Sequence, residues 1–116
     1  MVIAFPATEP AWALRTYLVL IGYASRGQTI TYGDLSQRIK RGGPNLISEP
    51  LDCVTQWCTR NGLPQLASLV VEQTTGMPAP GFRAIARSEI PAEQEKVWAY
   101  DWFSFLPPAI DELAKK

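Results

Sequence analysis

The chain has 116 residues, 47% of them hydrophobic and including four each of Trp, Tyr and Phe, which suffices for one domain with one core and leaves little room for two. Eleven basic residues cancel eleven acidic ones, so the strongly positive balance of a typical nucleic-acid binder is missing. No apolar run approaches the eighteen or so residues of a membrane span, and the start Met1-Val2-Ile3-Ala4-Phe5 lacks a charged lead and long apolar segment, so a cytoplasmic chain with no membrane contact is expected.

Thr8 reads as the N-cap of a first helix with Glu9 and Pro10 in its opening turn. Leu14, Tyr17, Leu18, Ile21 and Ala24 then recur at helical spacing until Gly27. Gln28 to Thr31 has the β-branched content of a short strand. Thr31 can cap a second helix that buries Tyr32, Leu35 and Ile39 and leaves Arg38, Lys40 and Arg41 near its exposed end. Gly42-Gly43-Pro44-Asn45 is a turn on chemical grounds, because Gly admits positive φ and Pro44 biases Gly43 away from the helical region.

A third helix should follow, with Pro50 near its first turn, a buried stripe of Leu51, Val54, Trp57 and Cys58, and a C-cap at Asn61-Gly62. Cys53 and Cys58 fall on different sides of that helix, which argues against a disulfide, and the chain has no His to complete a metal set or activate a thiolate. Both cysteines are expected to be small buried hydrophobes, with no metal and no cofactor. Leu66 to Val71, nearly all apolar, reads as a second strand.

Thr74-Thr75-Gly76-Met77-Pro78-Ala79-Pro80-Gly81 is rich in turn formers and should project as an ordered loop or wing, its return anchored by Phe82. Pro91 opens another helix, carrying Val97, Trp98, Trp102 and Phe105 and closed by Pro107-Pro108. A short last helix follows with Ile110, Leu113 and Ala114. Spacing with other apolar residues assigns Trp12, Trp57, Trp98 and Trp102 mainly to the core. The expected fold is α+β: a small winged-helix-like single domain over residues 1–116, mostly helical with a two- or three-stranded sheet. Its core covers about 9–87, and an aromatic helical segment of about 88–116 packs back onto the first helix.

Charge is unevenly spread. From Arg38 to Arg87 there are six basic residues against three acidic ones, and from Ser88 onward the proportion is reversed. Chemistry is scarce. Glu93 and Glu95 are too close in sequence, and expected to be too exposed, for a tuned acid/base pair. No Gly-rich phosphate loop exists, and the lack of His removes the commonest general base, so a non-enzyme is expected.

Gly27-Gln28-Thr29-Ile30-Thr31-Tyr32-Gly33-Asp34-Leu35 resembles the signature preceding the DNA-reading helix of the alkylguanine-DNA alkyltransferases and alkyltransferase-like proteins. The similarity continues loosely through Gly43-Pro44-Asn45, the helix to Trp57, the Asn61-Gly62-Leu63-Pro64 break and the Val70-Val71 strand. The resemblance implies a winged helix-turn-helix that enters the minor groove and flips an alkylated base, which true transferases dealkylate with a cysteine in a Pro-Cys-His-Arg motif. The corresponding segment here, Ala67-Ser68-Leu69-Val70, has neither the cysteine nor the histidine, and Ser68 near the nucleophile's place has no His or Lys base beside it. The family's helix arginine is also absent from Asn45 to Pro50, where Glu49 and, further on, Asp52 would repel phosphates.

Two functions are expected to compete. One is a non-enzymatic nucleic-acid-binding module using Tyr32, Arg38, Lys40, Arg41, Asn45 and Arg60 toward DNA. The other is a protein-interaction module, such as a small phage or mobile-element inhibitor or anti-defence protein, that presents Thr75, Met77, Phe82 and Arg83 from the loop to a protein partner.

Overall fold

The computed structural model describes residues 1–42 and 46–114, so Asn45 and most of the predicted Gly/Pro turn lie outside the described residues. The protein is a small, mostly helical α+β domain. Its order is α1 (Glu9–Ser25), β1 (Ile30–Thr31), α2 (Tyr32–Arg38), α3 (Ser48–Arg60), β2 (Val70–Val71), α4 (Ile90–Ala99) and α5 (Ile110–Leu113). The two strands pair in parallel, Ile30 opposite Val70 and Thr31 opposite Val71.

Local chemistry explains the helix starts. The Thr8 hydroxyl accepts from the Ala11 amide at 3.4 Å to begin α1, and the Thr31 hydroxyl accepts from the Asp34 amide at 3.2 Å to begin α2. Each satisfies one of the donors that a first helical turn leaves without an intrahelical partner. At the other end of α3 the chain leaves through Gly62, whose φ of 65° puts it in the left-handed region that a side chain disfavours.

The core lies where α1 crosses α3. Tyr17 of α1 meets Trp57 of α3 edge to face, ring centroids 5.4 Å apart and planes at 83°, and Phe105 closes on the other side of Trp57 at 6.5 Å. Leu20, Leu35, Val54, Leu66, Val97 and Leu113 are fully buried around this contact, so every helix contributes to one cluster. The C-terminal segment packs on α1 and α3, and the Arg60 guanidinium donates to the Glu112 carbonyl at 2.8 Å.

Three expectations change in detail. The apolar run from Leu66 is not strand throughout: Leu66–Leu69 coils into a 3₁₀ turn, and only Val70–Val71 pairs. The turn is set by a tertiary contact, because the carboxylate of Glu93 accepts from the Gln65 amide at 2.7 Å just before it. Glu93 is therefore buried rather than exposed, at 8% of its surface, while Glu95 stays in solvent.

The helix expected to carry Trp102 and Phe105 ends at Ala99. Tyr100 is extended, the Asp101 carboxylate accepts from the Phe103 amide at 3.1 Å, and the Trp102 indole donates back to the Val97 carbonyl at 2.9 Å. An Asp side chain that bonds its own backbone two residues on competes with helix continuation.

Candidate functional site

Helix α3 is amphipathic in a way that divides two tasks. Pro50, Cys53, Val54, Trp57 and Cys58 recur three and four residues apart and are buried. Ser48, Asp52, Thr55, Gln56 and Thr59 recur at the same intervals on another face, and they form one wall of a cleft of about 600 Å³. The volume is in the range of small-molecule and side-chain pockets.

The opposite wall is the returning loop, Ala79 and Gly81 to Ala84, and the floor includes Tyr32, Leu51 and Ala67. The loop is fixed before any ligand arrives. The Ala79 amide donates to the Tyr32 hydroxyl at 2.9 Å, and the Arg87 guanidinium donates to the Pro78 carbonyl at 2.7 Å and to the Ala79 carbonyl at 3.3 Å. At its tip the Gly76 amide donates to the Glu72 carbonyl and the Glu72 amide to the Met77 carbonyl, both at 2.8 Å.

Tyr32 therefore has two roles open to its hydroxyl, since it accepts from Ala79 and still carries its own proton. Burial is the main influence on the Tyr32 phenol and raises its pKa, so it stays protonated and a donor at neutral pH. Phe82 is half-buried against the core and lines the cleft, and Arg83, the next residue, is exposed and makes no hydrogen bond or ion pair among the described residues.

Of the residues singled out in the sequence, the fold brings Tyr32, Phe82 and Arg83 together at this cleft. The others are dispersed. Arg41 forms an ion pair with Glu9, donates from Nε to the Leu46 carbonyl at 3.1 Å and lies over the Trp12 ring at 5.2 Å. Arg38 lies over the Tyr23 ring at 5.6 Å, and with Lys40 it borders a separate shallow depression beside Val19, Asp34 and Gln37. Arg60 serves the α5 contact, and Thr75 and Met77 bond one another within the loop, the Met77 amide donating to the Thr75 hydroxyl at 3.2 Å.

The candidate nucleophiles stay out of the cleft. Ser68 is fully buried and its hydroxyl has no hydrogen-bond partner among the described residues, and the cleft meets its neighbour Ala67 instead. Cys53 and Cys58 are buried and unbridged. Desolvation pushes the Cys58 thiol up to about 11, even though the Leu66 amide contributes in the opposite sense, and burial also raises Cys53. Neither thiol ionises near neutral pH. Among the described residues no group of His, Cys, Asp and Glu could hold a metal ion, and no helix is long and apolar enough to cross a membrane.

Sequence reasoning missed the polar face of α3. Its signal was present as five polar residues spaced like the buried stripe but turned away from it. Compared with family models, curated proteins and solved structures, the chain finds no match in any of the three.

Proposed function

We propose that the protein is a non-enzymatic nucleic-acid-binding module whose cleft between α3 and the Ala79 to Ala84 loop holds an unpaired base. The observation that carries the reading is that Tyr32, Phe82 and Arg83 line one cleft together with the polar face of α3. An aromatic ring beside a cation is the pair that single-stranded nucleic acid requires, since a base stacks on the ring and the adjoining phosphate neutralises the charge. The resemblance of the Thr31-Tyr32-Gly33 joint to alkyltransferase-like domains supports the same reading, and the buried, protonated thiols and the enclosed Ser68 hydroxyl agree with binding without group transfer.

Anisotropy titration of the protein into labelled single-stranded DNA, and into a duplex with one unpaired base, tests the proposal at low and moderate salt. Both are expected to bind at low salt more tightly than a fully paired duplex, with affinity falling as salt rises. Absence of binding at low salt would refute it.

One observation favours a protein partner instead. Phe103 and Leu106 are exposed at 67% and 87% in the segment between α4 and α5, an arrangement in which apolar side chains are available as interface anchors. Under that reading, Phe103→Ser with Leu106→Ser abolishes capture of a stoichiometric protein and leaves DNA titrations unchanged.

A further inference from the structure

The cleft's polar atoms are unequally committed, and the difference assigns separate tasks to its two walls. On α3 the Thr59 hydroxyl donates to the Thr55 carbonyl at 3.0 Å and accepts from the Gln65 carboxamide at 2.8 Å, so the C-terminal end of the polar face is already hydrogen-bonded. The Gln56 carboxamide makes no hydrogen bond among the described residues, and among them it is the one carboxamide that lines the cleft. On the loop wall the Arg83 guanidinium likewise makes no hydrogen bond or ion pair among the described residues, and Arg83 follows Phe82 in the lining of the cleft.

We infer that Gln56 reads the edge of the bound base while Arg83 holds the phosphate beside it, an assignment that rests on the nucleic-acid reading of the cleft. A carboxamide presents one donor and one acceptor side by side in a plane, and the edge of an unpaired base presents the complementary pair. A hydroxyl such as that of Ser48 or Thr55 offers both functions on a single atom and cannot form two parallel bonds. A guanidinium has five donors and no acceptor, so it suits the phosphate, which the Asp52 carboxylate on the α3 wall confines to the loop side of the cleft. Helix α3 is rigid through its buried stripe, and the loop is tied by Tyr32 and Arg87, so both groups stand on walls fixed before binding.

The experiment compares the wild type, Gln56→Ala, Gln56→Glu and Arg83→Gln on two single-stranded oligonucleotides that differ by one central base, present in one and replaced by an abasic site in the other. Affinity is followed across a salt series, and circular dichroism confirms that each variant is folded. The wild type prefers the base-bearing strand. Gln56→Ala should lose about tenfold of that preference with its salt slope unchanged, from the known worth of a bidentate base contact. Gln56→Glu, which keeps the shape and loses the donor, should lose preference in the same way. Arg83→Gln should keep the preference and lower the salt slope by about 0.7, the share of one phosphate on a single strand. Preference retained in both Gln56 variants, or a salt slope unmoved in Arg83→Gln, overturns the assignment while the nucleic-acid reading stands. Failure of the wild type to bind either strand at low salt overturns both.

Discussion

The Tyr32 hydroxyl accepts a hydrogen bond from the Ala79 amide at 2.9 Å, joining the first turn of α2 to a loop 47 residues further along the chain. The bond makes the strand-to-helix joint a support for the cleft as well as a part of its floor. Tyr32→Phe should leave the Ala79 amide without that partner and lower stability by about 1 kcal/mol in urea unfolding. Hydrogen exchange at Ala79 should rise with little change in α1. An unaltered Ala79 exchange rate would show that the loop is held without Tyr32.

Tyr17 is fully buried with no hydrogen-bond partner for its hydroxyl among the described residues, and desolvation, followed by the nearby Cys58 and Tyr100, pushes its phenol up to about 12 from an ordinary 10.0. The folded protein holds the Tyr17 proton to higher pH than the unfolded chain does. Its contribution is thus intact below pH 10 and is lost as pH rises from about 10 toward 12. Cys58, raised from 9.0 to about 11, acts with the same sign and one unit earlier. Tyr17→Phe should match or exceed the wild type in stability at pH 7, because it removes a buried hydroxyl with no partner among the described residues, and should lose less stability than the wild type between pH 10 and 12 in thermal unfolding.

Glu93 joins α4 to the 3₁₀ turn through the Gln65 amide, and neighbouring Gln94 donates to the Ser68 carbonyl at 2.9 Å. Glu93→Ala should leave a buried amide unsatisfied and cost about 1–3 kcal/mol, seen as a lower urea midpoint. Glu95→Ala, on the exposed face of the same helix, should change the midpoint little.

These two neighbours also show what the sequence could and could not convey. Thr8 and Thr31 were legible as helix caps because an N-cap is a local bond between a side chain and an amide three residues on. Gly62 was legible because a left-handed turn needs its missing side chain. The conformation of Leu66 to Leu69 was not legible. All four residues are buried, so their apolar pattern has no period, and the capping carboxylate comes from a distant helix. The end of α4 was misplaced because apolar spacing continues past Ala99 while the backbone is turned by Asp101. At the site, Tyr32, Phe82 and Arg83 could be named, but their union depends on the tie from Ala79 to Tyr32, which no local pattern records.

The Ser68 hydroxyl is enclosed and has no hydrogen-bond partner among the described residues. Ser68→Ala should leave oligonucleotide affinity within error of the wild type and match or slightly raise its thermal midpoint. A large loss of binding, with the fold intact, would place that hydroxyl in the function after all.

The most direct test of the cleft as the nucleic-acid site is a map of backbone amide shifts in isotope-labelled protein during titration with a short single-stranded oligonucleotide. Shifts should concentrate at Tyr32, Thr55, Gln56, Phe82 and Arg83 and saturate together. Shifts confined to Tyr100 through Leu106 or to Arg38 and Lys40, with the cleft silent, would contradict it.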